Sequence, residues 1–513
     1  MKRRHATVLV TVALAASTAA ACTGSARSGS SSGGRPSAPA GAADAQAPSA
    51  TVAPPDQATV IAAGRTAGAV SVAVSEQLFD GAPTVVVAPA DDPAAIGTAA
   101  EQAQKLGVPL LLDDGAGTAV RDEIGRLKPA TVVAADPDVA ARMGSEGTKV
   151  VADLAGLAGS PPAPGLDEVA VLVAASGDAT ARAGAAAAAA TGRAAGATVV
   201  PVRSGDPRAD PHAIEMLAEA KPDHVVAAGS GFGPADRLAD RVAVAATGEQ
   251  LPGGGQVVLP GRRLVALYGH PGTAALGVLG EQPLDAAIAR AKTHAAPYRQ
   301  LSGQTPVVPA FEIIATVATA GPGPDGNYSF EAPIAQLRPW VEKAGAAGLY
   351  VVLDLQPGRT DFLTQAKRYE PLLRLPHVGL ALDPEWRLKP GEQHLTQIGS
   401  VSAGEINSVY RWLADLTARA TLPQKLFVLH QFRLSMIGTD EPLQRDRDEV
   451  ALLIHMDGQG PTGSKDQTWA AVVGAAPKGV PFGWKNFYDE DVPMLSPAQT
   501  MSRRPTPLMI SYQ

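Results

Sequence analysis

The sequence predicts an α/β protein in which N-terminal parallel α/β repeat units are followed by a C-terminal (β/α)8 barrel of the TIM type. Three observations carry this. Short apolar strands alternate with Ala-rich helical segments over residues 84–231. Eight longer apolar strands alternate with helical patterns over residues 263–513. The aromatic residues are segregated: all five Trp and all eight Tyr lie after residue 262, so the two halves are built differently.

In the first half, TVVVAP (84–89), VPLLLDD (108–114) and ATVVAAD (130–136) read as strands. Between them, DDPAAIGTAAEQAQKLG (91–107) and VRDEIGRLKP (120–129) read as helices. This βαβαβ order implies a parallel sheet covered on both faces. The pattern recurs in strands 168–175, 197–202 and 223–231 and helices 179–196 and 212–222, which suggests a duplication. The expected division is 57–160 and 161–262 for the two α/β units and 263–513 for the barrel. GSGFG (229–233) follows a strand but lacks GxGxxG spacing and a nearby Lys-Ser/Thr, so it reads as a tight βα turn.

The 513 residues are enough for several domains. A formal net charge of −7 argues against a nucleic-acid partner, which calls for a basic stripe. Lys2, Arg3 and Arg4 precede an apolar run over 6–16 that is too short to span a bilayer and leads into small residues, the pattern of an export signal. Cys22 is the only cysteine, which excludes an internal disulfide. Residues 23–56 are rich in Ser, Gly, Ala and Pro and read as a flexible tether.

Residues 1–22 resemble a bacterial lipoprotein signal, with Ala19 where Leu is usual. The resemblance implies lipidation of Cys22, export, and anchoring through lipid alone to the outer face of the cytoplasmic membrane. Residues 70–114 resemble the cell-wall-binding repeat of bacterial surface proteins in the VVVA strand, the Ala-rich helix and the Gly-Val-Pro-Leu-Leu-Leu turn. Asp92-Pro93-Ala94 stands where that family often has Asp-Ala-Leu. The resemblance implies non-covalent attachment to anionic wall polymers, and so a cell-envelope polysaccharide as partner.

The eight expected barrel strands are 264–270, 307–315, 348–356, 377–383, 425–432, 449–457, 480–487 and 507–512. Helical patterns at 333–345, 360–375, 402–420 and 464–476 separate them, the third opening with a Ser402–Glu405 capping box. Strands start apolar and end polar. The ends carry Tyr268 and His270; Glu312; Asp354, Gln356 and Arg359; Asp383 and Glu385; His430, Gln431 and Arg433; His455 and Asp457; Lys485, Asn486 and Asp489; and Tyr512. In a parallel barrel these ends meet at one rim, where barrel enzymes place their chemistry.

HVGLALDPEW (377–386) concentrates the chemistry. If its strand continues through 385, Asp383 and Glu385 project together into the mouth, and crowding raises the pKa of one of them. GLALDPE (379–385) resembles the fourth-strand motif of chitinase-type glycoside hydrolases, with Ala381 where that family has its outermost Asp and Pro384 where it has Trp. The resemblance implies that Glu385 is the acid/base and Asp383 its supporting carboxylate. Stretches such as ALYGHPG, VVLDLQPGR, VLHQF, HMDGQG and WKNFYDED resemble a group of actinobacterial lipoproteins, which implies the barrel and an envelope location.

Three functions follow as expectations. The first is an envelope-tethered glycosidase-like hydrolase, with Glu385, Asp383 and Asp354 catalytic. Tyr268, His270, Glu312, Arg359, Trp386, His430, Gln431, His455, Asp457, Trp484, Lys485, Asn486 and Asp489 would bind substrate, with Tyr268, Trp386, Trp484 and Tyr488 stacking on sugar faces. This reading needs no cofactor and no metal. The second is a metal-dependent hydrolase using His270, Glu312, Asp354, His430, His455 and Asp457, though no tight ligand spacing such as His-x-His is present. The third is a non-catalytic glycan-binding surface protein.

Overall fold

The computed structural model describes residues 49–115, 118–144, 147–154 and 165–513. Cys22, the export signal and most of the tether lie outside these residues.

Among the described residues, ten strands build the α/β half: β1 (Thr51–Val52), β2 (Thr59–Ala62), β3 (Phe79–Gly81), β4 (Thr84–Pro89), β5 (Leu110–Asp113), β6 (Thr131–Val133), β7 (Lys149–Val151), β8 (Val169–Ala174), β9 (Thr198–Val202) and β10 (His224–Ala228). The helices are α1 (Ala67–Leu78), α2 (Pro93–Leu106), α3 (Thr118–Leu127), α4 (Pro137–Met143), α5 (Ala179–Ala194), α6 (Pro211–Ala220) and α7 (Ala235–Ala245). Apart from the small antiparallel pair β1–β3, the strands form two parallel sheets, β5-β4-β6-β7 and β2-β10-β8-β9. Strand β2 belongs to the second sheet, paired in register with β10. The chain therefore starts the second sheet, leaves to build the first, and returns, an order that a cut at residue 160 does not express.

The composition of α5 follows from its position. It packs against α1, α2 and both sheets. Six consecutive alanines, 185–190, keep it thin enough to fit there. A Cβ on Gly192 would lie 2.9 Å from Val171 Cγ2. Thr191 Oγ1 accepts from Leu110 N at 3.1 Å and Ser71 Oγ from Leu112 N at 3.0 Å, so α5 and α1 cover the open edge of β5. In the second sheet, Val169, Val171 and Val173 face α1 and α5, while Ala170 and Leu172 face the other core, which contains Ile214, Leu217 and Leu238.

The barrel has all eight expected strands: β11 (Arg263–Gly269), β12 (Val307–Ala318), β14 (Tyr350–Leu355), β15 (Val378–Leu382), β16 (Lys425–His430), β17 (Val450–Met456), β18 (Phe482–Asn486) and β19 (Met509–Tyr512). All neighbouring pairs among them are parallel, and β11 pairs with both β12 and β19, which closes the ring. The far end of β12 also carries a short antiparallel strand, β13 (Ser329–Glu331). Leu264, Ala266, Val308, Ala310, Val352, Ala381, Val428, Leu453 and Met509 form the inner core, and the residues between them face the helices.

Three local expectations change. The helix expected over 360–375 is two, Phe362–Arg368 and Glu370–Leu373, because Pro371 cannot donate to the preceding turn. A helix at Leu284–Leu301, interrupted in pattern by Pro297, was not expected. The capping box at Ser402 is half formed: Ser402 Oγ accepts from Glu405 N at 3.1 Å, but the Glu405 carboxylate turns to Phe362 N and Arg387.

The two halves meet at Asp448, at the start of β17. Arg237 Nε and Arg241 Nε donate to its Oδ2 at 2.8 and 2.6 Å, and Arg208 Nη2 lies 3.5 Å away.

Candidate active site in the barrel mouth

The mouth is built by the period of the strands. Two residues beyond the inward Ala266, Ala310, Val352, Ala381, Val428, Leu453, Gly483 and Met509 stand Tyr268, Glu312, Asp354, Asp383, His430, His455, Lys485 and Ser511. The apolar inner layer is thus topped by a polar one, and all eight of these residues are buried. Above them lies a cavity of about 400 Å³, lined by Tyr268, Gln356, Asp383, Glu385, Trp386, Asp457 and Lys485 together with Phe432, Gln459, Phe487 and Gln513.

One hydrogen-bonded chain crosses the floor. His430 Nδ1 faces Asp457 Oδ2 at 2.8 Å and its Nε2 faces Glu312 Oε1 at 2.9 Å. Tyr268 OH donates to Asp354 Oδ2 at 2.8 Å, and Lys485 Nζ sits over the Tyr268 ring at 3.4 Å. His455 Nε2 lies 2.7 Å from Ser511 Oγ. Glu312 Oε2, Asp354 Oδ1, Asp383 Oδ1 and Asp457 Oδ1 are buried without a hydrogen-bond partner, and of these residues Asp383 and Asp457 line the cavity.

The electrostatics separate the groups. Burial works to lower the pKa of His430, but Glu312 and Asp457 outweigh it and hold the ring charged, well above its ordinary range. Burial and the charge of His430 push its neighbour His455 well below that range. Burial raises Asp354 to about 6 despite His430 and Lys485. Burial and then Glu385 push Asp383 well above the carboxylate range. Glu385 is raised to about 7 by burial and then by the charge of Asp457. Asp457 goes the other way: burial would raise it, but His430 and Lys485 hold it down.

The strand at Asp383 does not run on. It ends at Leu382, and Pro384–Trp386 form a single 3-10 turn, so Asp383 and Glu385 do not share a strand face. The turn is locked by Gly399, where a Cβ would lie 2.5–2.6 Å from the carbonyl oxygens of Pro384, Glu385 and Arg387. Both carboxylates nevertheless line the cavity.

Other expected residues stand elsewhere. Trp484 is fully buried on the outward phase of β18, against Trp469, and offers no face to a sugar. Its Nε1 donates to Asn486 Oδ1 at 3.0 Å, which turns Asn486 from the mouth. His270 Nδ1 lies 2.9 Å from the Ile314 carbonyl and fastens the loop after β11. Arg359 stacks on Tyr328 at 4.5 Å and donates to the Glu392 carbonyl. Gln431, Tyr488 and Asp489 do not line the cavity. Tyr488 instead meets His294 and Tyr512 by ring contact. Of the expected metal-ligand set, His270 stands apart, whereas Asp383, not in that set, brings a ligand atom within 4.8 Å of those of His430 and Asp457, a spacing that could hold an ion. Ser511 was missed, although its place two residues beyond Met509 marks it as inward.

Fold and site together define a (β/α)8-barrel protein with an acid-lined mouth. No family model and no curated protein matches the chain. Among solved structures, Cwp6 from Clostridium difficile matches with a TM-score of 0.28 and 12% identity, over 64% of this chain and 63% of that one. No helix among the described residues is long and apolar enough to cross a membrane.

Proposed function

We propose that the protein is an exported, envelope-tethered hydrolase that cleaves a glycosidic bond in a cell-envelope or extracellular glycan by carboxylate acid/base chemistry. One observation carries this reading: Glu385, raised to about 7, shares a cavity with Asp457, which is held ionised by His430. Two carboxyls pushed in opposite directions in one pocket are an acid and its ionised counterpart.

In this scheme Glu385 gives its proton to the leaving oxygen as the glycosidic bond breaks. The positive charge developing on the sugar ring is met by the ionised Asp457. Water then adds to that sugar and its proton returns to Glu385. Asp383, protonated, donates to the substrate and stands as the supporting carboxyl, with Asp354 below it. Trp386, half-buried at the cavity wall, offers the apolar face on which a sugar stacks. The export signal and tether favour a substrate outside the cytoplasm.

The test is release of reducing ends from purified wall polysaccharide, peptidoglycan and chitin oligosaccharides. Turnover by the wild type and its loss in Glu385→Gln support the reading. No turnover on any of the three, or equal turnover by the variant, ends it.

A metal-dependent hydrolase is the second reading, motivated by Asp383, His430 and Asp457. Each ring nitrogen of His430 already faces a carboxylate, so ligation would require breaking one of these contacts. Stoichiometric metal in the purified protein would favour this reading over the first.

A further inference from the structure

We infer that the α/β half carries a second, separate ligand site, for a small phosphorylated molecule, at the C-terminal edge of the sheet β2-β10-β8-β9. Strand β8 is followed in the chain by β9 on one side and β10 on the other. The connecting helices α5 and α6 pack on opposite faces. Where successive connections leave a parallel sheet in opposite directions, their loops part and leave a crevice, the usual ligand position in such sheets.

A cavity of about 480 Å³ lies there, larger than the barrel mouth, bounded by the loops that follow β2, β8, β9 and β10. Its charge is unlike that of the chain, whose formal net charge is −7. Arg65 and Arg203 line it, with Asp178 as the single carboxylate. Asp178 is already engaged, accepting from Ala181 N at 2.8 Å as the cap of α5. Arg203 has only Asp210, at 3.6 Å, and Arg65 has no hydrogen-bond or ion-pair partner among the described residues. Two under-used guanidinium groups facing one hollow match the oxygens of a phosphate group, which they bind bidentately.

GSGFG (229–233) is the tight turn its sequence suggested, and it is also a wall of this cavity. Gly229 and Gly233 have φ of 106° and 81°, which glycine alone adopts freely. A Cβ on Gly205 would lie 1.9 Å from the Gly231 carbonyl oxygen, so the loops after β9 and β10 are pressed together on one side. A Cβ on Gly231 itself meets nothing within 4 Å. A side chain there would grow into open space without displacing the fold.

Calorimetric titration of the full chain with glucose 6-phosphate and inorganic pyrophosphate, and with glucose as the neutral control, tests this. Both phosphorylated probes bind and glucose does not. Arg65→Ala weakens binding about tenfold. Gly231→Leu abolishes it with an unchanged thermal midpoint, and Glu385→Gln leaves it unaltered, which separates this site from the barrel mouth. No heat with either phosphorylated probe, equal binding of glucose, or binding that survives Gly231→Leu overturns the inference.

Discussion

His430 holds Asp457 through Nδ1 at 2.8 Å and Glu312 through Nε2 at 2.9 Å, with no solvent reaching the ring. One charged imidazole thereby serves as the shared counter-charge of two buried carboxylates from opposite sides of the barrel. Replacing it by Gln leaves both short of a counter-charge. Such a loss costs about 3–5 kcal/mol. Urea unfolding of His430→Gln is expected to show that loss, and an unchanged midpoint would contradict the assignment.

Glu385 as general acid predicts a loss of about 10²–10⁴-fold in kcat for Glu385→Gln with KM little altered. The proton must be present for the acid to work. With Glu385 raised to about 7, wild-type activity declines as pH rises through neutrality. A rate that keeps rising to pH 9 would remove Glu385 from this role.

The same shifts act on stability. Asp354 at about 6 and Glu385 at about 7 both stand above their ordinary 3.8 and 4.5. The folded state therefore keeps protons that the unfolded chain has lost. The stability these two groups contribute is complete below pH 3.8 to 4.5 and is lost as pH rises through 6 and 7. Denaturation midpoints across this window should fall less steeply in Glu385→Gln than in the wild type. Parallel curves would show that Glu385 titrates normally.

Gly483 faces the inside of the barrel beside His455. A Cβ there would lie 1.9 Å from His455 Nδ1. Gly483→Ala must push that ring and its bond to Ser511, costing about 1–3 kcal/mol. A differential scanning calorimetry midpoint equal to that of the wild type would mean that His455 moves freely.

Asp448 gathers Arg208, Arg237 and Arg241, and these hold its carboxyl below the usual range although burial works the other way. Asp448→Asn removes the carboxylate that Arg208, Arg237 and Arg241 share across the boundary between barrel and α/β half. Because the cluster is partly exposed, the expected cost is about 1 kcal/mol, falling with added salt. Limited proteolysis should cut the 246–262 connection faster in the variant.

Much of this was legible in the sequence. The eight barrel strands and their polar ends follow from apolar runs of fixed direction, because a parallel barrel leaves little else for such runs to do. Which polar residues enter the mouth was legible only by phase. Lys485 and Trp484 are adjacent in sequence yet point to opposite sides, and counting by two from Met509 or Leu453 separates mouth from shell. Pro384 announced the turn that takes Glu385 off the strand. No local pattern reports that the turn carries Glu385 back over the cavity, since Gly399, fourteen residues on, fixes it. The pairing of β2 with β10 was equally hidden, because a strand of four residues names no partner.

That pairing orders the birth of the molecule. As the chain emerges from the ribosome, β4 to β7 can close their own sheet, but β2 has nothing to join until residue 228 is out. The first sheet thus behaves as a guest inserted into a host whose opening strand waits. Trimming the gene from its 5′ end would damage the host before the guest, whereas excising 84–165 would spare the host strands.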